Sequence, residues 1–313
     1  MNTELASEAV EFERVVSSSL MDTGGFEHVR RAERDPSHRG WIGDRLGGLG
    51  LWEIDVSQEI QLEAAALACR AAGRVALPYP VAERLAAFGL DGTDAVGLVA
   101  RDGAHLAHAD LEMRWTAMLL DGRTARVVQV GDPGRTNLGP FVCRIVQAPR
   151  ESTTDAGPLL VVLQCWTLLG MLQSVQAMTV NYVRDRRQFG QSLAEFQSVQ
   201  FALTDVAVAT QGLEELCKYT TWAIGHRPAE ALTDAIALRS ASLEAAETTF
   251  RIGHQLHGAI GFCDESDLSW LSRHSQALRR LPFGRSQTEA ALVQLIGRTG
   301  FYTPVTAGGR EGP

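Results

Sequence analysis

One stretch constrains this chain more than any other. Residues 158–171 read PLLVVLQCWTLLGM, apolar on almost every face of a helix. Such a helix has to be surrounded by other protein. Gln164 interrupts the run, and Gln173, Ser174 and Gln176 follow it. A membrane span needs about 20 predominantly apolar residues, so the stretch is expected as the core helix of a bundle. Asp155 and Pro158 supply a cap and a pre-set first turn, and the helix should run to about Arg186. A second long helix should begin near Glu195. Its Val199, Leu203, Val206, Thr210, Leu213 and Cys217 alternate spacings of four and three, the pattern of an antiparallel-bundle seam. Pro228 breaks the chain. A third helix follows Thr233 and stops at Gly258 and Gly261, a fourth covers residues 267–280, and a short last one ends near Arg298.

The texture before the bundle is different. Ser57 is placed to cap a helix through QEIQLEAAALACRAAGR, rich in strong helix formers. Pro78 and Pro80 interrupt it, VAERLAAF resumes, and Gly89 offers a stop. Residues 96–99, 124–130 and 141–146 then form short β-rich segments, and Asp121-Gly122 is a hairpin signal. The expected fold is mainly α with a small β module. It divides into an N-terminal helical domain (1–93), a reduced middle β domain (94–152) and a C-terminal four-helix bundle (153–313).

Composition excludes several functions. A formal charge of -8 over 313 residues lacks the basic face that phosphate backbones require, so nucleic acid is not an expected partner. Five scattered cysteines form no CxxC or Cys/His cluster, which argues against a metal site and for reduced thiols in the cytoplasm. The N-terminal residues are acidic where a signal peptide is basic and then apolar, so neither export nor membrane insertion is expected.

Two segments carry chemistry. Tyr182-Val-Arg184-Asp-Arg186-Arg187-Gln188-Phe189-Gly190 places three arginines at a helix end before a glycine turn. Guanidinium forks suit a pyrophosphate, and Phe189 suits a ring; the same residues also read as a solvated helix terminus. Gln255-Leu256-His257-Gly258-Ala259-Ile260-Gly261 has two glycines that let a ligand approach the backbone, or that simply cap a helix.

Together these segments resemble the acyl-CoA dehydrogenase family. YVRDRRQFGQSLAEFQSVQ is similar to its YxxxRxQFGxxLxxFQxxQ signature, and QLHGAIGF to its QxxGGxG segment, with Ala259 at the second glycine. Arg273 lies where the family's Arg-Asp pair begins, and AGRVALPYP resembles a run of its N-terminal domain. The resemblance implies FAD as cofactor, an acyl-CoA substrate, electron-transfer flavoprotein as acceptor and assembly through the bundle. It implies that Arg186, Gln188 and Phe189 meet the adenine-diphosphate part of an FAD held by a neighbouring subunit, and that Gln255, Gly258 and Gly261 line the same dinucleotide. Arg184 does not fall on the motif's arginine.

The chain also departs from that family. The resemblance implies a glutamate that removes the substrate's α-proton, which needs a carboxylate in a dry pocket. Its usual place holds Pro282 or Phe283, and its alternative place, near Leu160, lies in an apolar run. No TEPxxGSD-like loop is present in the β module, where Trp115-Thr116 is a faint counterpart of the family's flavin-stacking segment. The chain thus resembles the short, base-lacking subunit of actinobacterial α2β2 acyl-CoA dehydrogenases acting on sterol side chains, completing the FAD site of a base-bearing partner. The alternatives are a self-sufficient enzyme with its base among Asp264, Glu265 and Asp267, or a flavin-free scaffold.

Overall fold

The computed structural model describes residues 4–100, 104–149 and 152–299. Five helices open the chain: α1 (Ser7–Asp22), α2 (Glu27–Arg34), α3 (His38–Gly47), α4 (Glu59–Arg74) and the short α5 (Val81–Leu85). Ser57 does not cap α4. Its amide and hydroxyl both donate to Asp55 Oδ1, at 2.9 and 2.6 Å, in a local turn that competes with capping.

The β module contains β1 (Ala95–Leu98), β2 (His105–Ala107), β3 (Trp115–Met118), β4 (Arg123–Val130), β5 (Gly134–Thr136), β6 (Gly139–Gln147) and β7 (Ser152–Thr153). Its main path is β1-β3-β4-β6-β2, with β5 on β6 and β7 on β4; only β1 and β3 pair in parallel. Asp121-Gly122 turns β3 into β4, with Gly122 at φ 83°, a conformation a side chain resists. The sheet has its own small core around Val99, Leu106, Trp115 and Ile145.

The bundle consists of α6 (Ala156–Asp185), α7 (Gln197–His226), α8 (Ala231–His257), α9 (Asp267–Arg280) and α10 (Arg285–Thr299). At the start of α6, Thr154 Oγ1 rather than Asp155 accepts the Ala156 amide, at 3.3 Å. α6 is long and apolar enough to cross a membrane, but most of it is buried by α4, α7 and α8. The hydrophobic core is continuous from α1 and α4 into α6 and α8. α4 and α6 touch backbone to backbone, because Gly73 faces the Thr167 carbonyl and Gly170 faces the Arg70 carbonyl.

The seam on α7 faces this core: Val199, Val206, Thr210, Leu213 and Cys217 are buried, and Leu203 is half-buried. A second apolar row, Phe201, Val208 and Leu216, points outward instead. Ion pairs tie the parts together. Arg70 of α4 donates Nε and Nη2 to Glu13 of α1 at 2.7 and 2.6 Å, and Nη1 to Glu214 of α7 at 2.7 Å. Arg39 of α3 pairs with Asp110 of the β module.

Candidate functional site

α6 and α8 are alternate helices of an up-and-down bundle, so their C-termini emerge at one end. There Tyr182 stacks on His257 with ring centroids 4.4 Å apart, which brings the two sequence segments side by side. α6 ends at Asp185, with Arg186 as its extended C-cap, and residues 187–188 and 191–192 pair as a hairpin, β8 and β9. Phe189 and Gly190 turn it, both at positive φ. Ser192 anchors this hairpin: its hydroxyl donates to the Val183 and Arg184 carbonyls, and it forms a capping box with Glu195. Carbonyls left over at the end of α6 are thereby satisfied.

The hairpin presents Arg186, Arg187, Gln188 and Phe189 to solvent, with Phe189 92% exposed. Arg184 is exposed on the last turn of α6. Among the described residues none of the three arginines has a carboxylate partner within 4.0 Å. Two helix C-termini carry partial negative charge, so an anion there depends on these guanidiniums and not on helix dipoles. On the α8 side, Gln255 and Gly258 are exposed. Gly258 has φ 64°, and nothing lies within 4 Å of where its side chain would begin. Gly261 is buried and differs: a Cβ would meet His257 at 3.0 Å and Leu268 at 3.1 Å. Side chains of α8 and α9 crowd that position, whereas the backbone at Gly258 is open.

The segment that follows α9 is equally well defined. Arg239 of α8, buried at 3% exposure, donates to the carbonyls of Leu278 (3.1 Å), Leu281 (2.7 Å) and Phe283 (3.0 Å). It thereby fixes the segment carrying Pro282 and Phe283, neither of which takes a proton. The three alternative acids are not in a dry pocket. Asp264 is 74% exposed and pairs with Arg273 at 3.0 Å, Glu265 is exposed, and Asp267 pairs with Arg30. Trp115 is only 2% exposed, within the sheet's own core. It has no face free for a flavin ring, so the faint counterpart is a packing residue.

One carboxylate escaped the sequence reading. Glu83 of α5 lines a cavity with Pro282, Gln164, Trp115 and Leu281. Burial pushes its carboxyl above the usual carboxylate range, opposed by Gln164 Nε2, which donates to it at 2.8 Å. In VAERLAAF a glutamate beside an arginine looks like an ordinary exposed helix residue; only contacts from α6, the sheet and α9 enclose it.

Comparison with known proteins agrees with this architecture. Two solved structures with the same fold are the Tcur3481-Tcur3483 steroid ACAD G363A variant and the ChsE4-ChsE5 complex of Mycobacterium tuberculosis. The first is 17% identical with TM-score 0.75, covering 93% of this chain and 98% of that one. The second is 17% identical with TM-score 0.74, covering 97% and 100%. The fold is that of the acyl-CoA dehydrogenases. Residues 162–295 match the family model for the acyl-CoA dehydrogenase C-terminal domain, so this part of the chain is a domain of that kind. Among curated relatives, the 3-sulfinopropanoyl-CoA desulfinase of Paraburkholderia xenovorans (strain LB400) is 24% identical over 159 residues, 50% of this chain. The match spans only 37% of that relative's length.

Proposed function

We propose that this chain is a subunit of an FAD-dependent acyl-CoA dehydrogenase that lends its bundle end to the flavin of a base-bearing partner. The observation that carries the reading is the contrast between two places in the fold. At the bundle end, three arginines without carboxylate partners among the described residues, an exposed Phe189 and the open backbone at Gly258 lie together. At the base's place stand Pro282 and Phe283.

The bundle end fits the adenine-diphosphate part of FAD. Arg186 would bind the diphosphate by charge-assisted hydrogen bonds. Gln188 and Gln255 would hydrogen-bond polar edges, Phe189 would cover the adenine, and the backbone at Gly258 would approach closely, with Gly261 keeping α8 and α9 packed behind it. FAD, when bound, supplies the acceptor for the hydride leaving the acyl β-carbon. This chain's residues bind and orient that cofactor; the α-proton goes to a glutamate of the partner. The substrate class is an acyl-CoA with a sterol side chain as its acyl group, electrons leave to an electron-transfer flavoprotein, and the complex works in the cytoplasm. The name of one similar structure, a steroid ACAD, supports that substrate class. The outward row Phe201, Val208 and Leu216 supports an assembly through α7.

The test is co-expression with the products of neighbouring genes, followed by flavin stoichiometry and acyl-CoA-dependent dye reduction. Activity is expected only in the complex, and it should vanish when the partner's glutamate becomes glutamine. Dye reduction by this chain alone would defeat the reading. Persistent absence of flavin from every assembly would favour the scaffold alternative.

A further inference from the structure

Two buried histidines close the turn between α2 and α3. His28 of α2 and His38 of α3 lie ring on ring, with centroids 5.3 Å apart and planes 16° from parallel. Trp41 of α3, itself exposed, stacks on both at 5.6 and 5.3 Å. His28 Nδ1 and His38 Nε2 are 3.1 Å apart, and His28 Nε2 lies 3.0 Å from Thr23 Oγ1 at the end of α1. The charged groups acting on the pair are Glu27 and Arg31 of α2 and Asp35 of the turn, and they oppose one another. α1 presents the neutral Thr23 and the Leu20 backbone, α3 presents Trp41, and Arg45 of α3 is engaged on Ser19 Oγ at 3.1 Å. Burial outweighs these neighbours and disfavours the charged form of both rings.

These contacts place the protons. The Thr23 hydroxyl donates to the Ser19 carbonyl at 2.6 Å, shorter than its distance to His28, so its oxygen accepts from His28 Nε2–H. A neutral imidazole has one N–H, so His28 Nδ1 is bare and accepts from His38 Nε2–H. His38 Nδ1 is then the ring nitrogen that can take a proton with the chain of hydrogen bonds intact. Asp35 favours a charge on that ring, and the face of Trp41 attracts a cation. A second proton has to go to His28 Nδ1. There two N–H groups would face each other across 3.1 Å, with two like charges in rings whose centroids are 5.3 Å apart. The closed pair therefore has room for one added proton and not for two.

We propose that His28 and His38 form an acid-sensitive clasp, which holds α2 on α3 while the pair is neutral or singly protonated and opens when both rings are protonated. Its effect extends beyond the turn. α2 also carries Arg30 and Glu33, which pair with Asp267 and His274 of α9, and α3 carries Arg39, which pairs with Asp110 of the β module. Opening the clasp loosens the hold of α2 and α3 on α9 and the sheet, while α4 and α6 stay in the continuous core. An opened histidine titrates near 6.5 and a closed one lower, so the clasp is complete above about 6.5 and is lost as pH falls. With two protons taken up per opening, the opening constant rises by up to about 100-fold per pH unit. None of this depends on flavin or on a partner chain.

The test has two arms. Amide hydrogen exchange of the full chain, read by mass spectrometry and corrected for the intrinsic rate at each pH, follows local opening from about pH 7.5 to about pH 5. In wild type, residues 27–47 should lose protection as pH falls through this range, while α4 stays protected. His38→Gln keeps an Nε2 donor for His28 and removes one titrating ring, so its protection should change by at most about 10-fold per pH unit. Equal loss in the two proteins overturns the clasp. Loss in wild type shared with α4 is global unfolding and overturns it too.

The second arm needs no variant that has to fold. Nitrogen NMR of the wild-type chain, labelled at histidine, reads which ring nitrogens carry protons. At neutral pH His28 should show a proton on Nε2 and none on Nδ1, and on acidification His38 should titrate before His28. A proton on His28 Nδ1 at neutral pH, or His28 titrating first, overturns the proton order on which the clasp depends.

Discussion

Gly170→Ala gives a test whose sign separates two kinds of reasoning. Read as sequence alone, a glycine inside α6 is a weak point, and alanine should stabilise the helix by about 1 kcal/mol. The structure reverses that expectation. A Cβ on Gly170 would lie 2.0 Å from the Arg70 carbonyl oxygen, 2.9 Å from its carbonyl carbon and 3.1 Å from the Arg74 amide nitrogen of α4. Real Cβ atoms essentially never approach such atoms closer than 3.0 Å, so the two backbones must separate by about 1 Å. The neighbouring contacts cannot absorb that movement. Gly73 sits as closely on the Thr167 carbonyl, and the Ser174 hydroxyl donates to the Arg74 carbonyl at 2.8 Å. Overpacking by a methylene typically costs about 1–3 kcal/mol, and a backbone contact belongs at the upper end. Subtracting the gain in helix propensity leaves a net loss of about 2 kcal/mol. Thermal melting should register it as a fall of several degrees, at roughly 2–4 °C per kcal/mol. Gly212→Ala on α7 is the internal control, since nothing lies within 4 Å of its Cβ position; it should stabilise by up to about 1 kcal/mol. Gly73→Ala added to Gly170→Ala should cost less than it does alone, because both changes force apart the same pair of backbones. If Gly170→Ala melts above wild type, as Gly212→Ala should, the close crossing of α4 and α6 is wrong.

Arg186→Ala should weaken FAD retention by the partner complex by about 1.5–3 kcal/mol, the range for a charge-assisted bond; Arg184→Ala should do less, and equal flavin content in all three proteins would show the helix end to be merely solvated. Arg70→Met should cost about 1.5–3 kcal/mol in denaturant unfolding, because it leaves Glu13 to Arg74 at 3.6 Å and Glu214 to the Gln173 amide at 3.1 Å; a cost under 1 kcal/mol would refute the network. Burial, with Arg39 nearby, drives the His108 imidazole down to about 3, while an unfolded histidine takes up a proton near 6.5. Stability should therefore fall as pH drops from about 6.5 toward 3, and His108→Asn should flatten that slope in unfolding measured across the range. Glu83 has the opposite sign: its folded pKa lies above the unfolded value of 4.5, so its contribution is complete below that pH and is lost as pH rises through the folded pKa. Glu83→Gln should accordingly show no advantage in acid and a growing one toward neutrality, and a constant difference would refute the burial.

Much of this fold was legible in the residues themselves. The apolar run of α6, the four-and-three spacing on α7, the break at Pro228 and the turn at Asp121-Gly122 are local patterns, and local patterns determine which elements form and which face of each is apolar. The motif around Arg186 was legible for a similar reason, because its hairpin is held by residues a few positions away, such as Ser192 and Glu195. Capping was less so. Ser57 and Asp155 had the right chemistry, but Asp55 and Thr154 competed for the same hydrogen bonds.

What the sequence by itself determined, then, was the set of elements, the seam that closes the bundle and the absence of an acid at 282–283. Only the tertiary structure decided that Glu83 is enclosed, that Trp115 is core rather than a flavin platform, and that Gly170 is a contact rather than a flaw. Each of these depends on residues scores of positions apart meeting at a few ångströms. Residue type and periodicity report a side chain's preference for water, whereas its actual surroundings depend on which distant helix or strand packs over it.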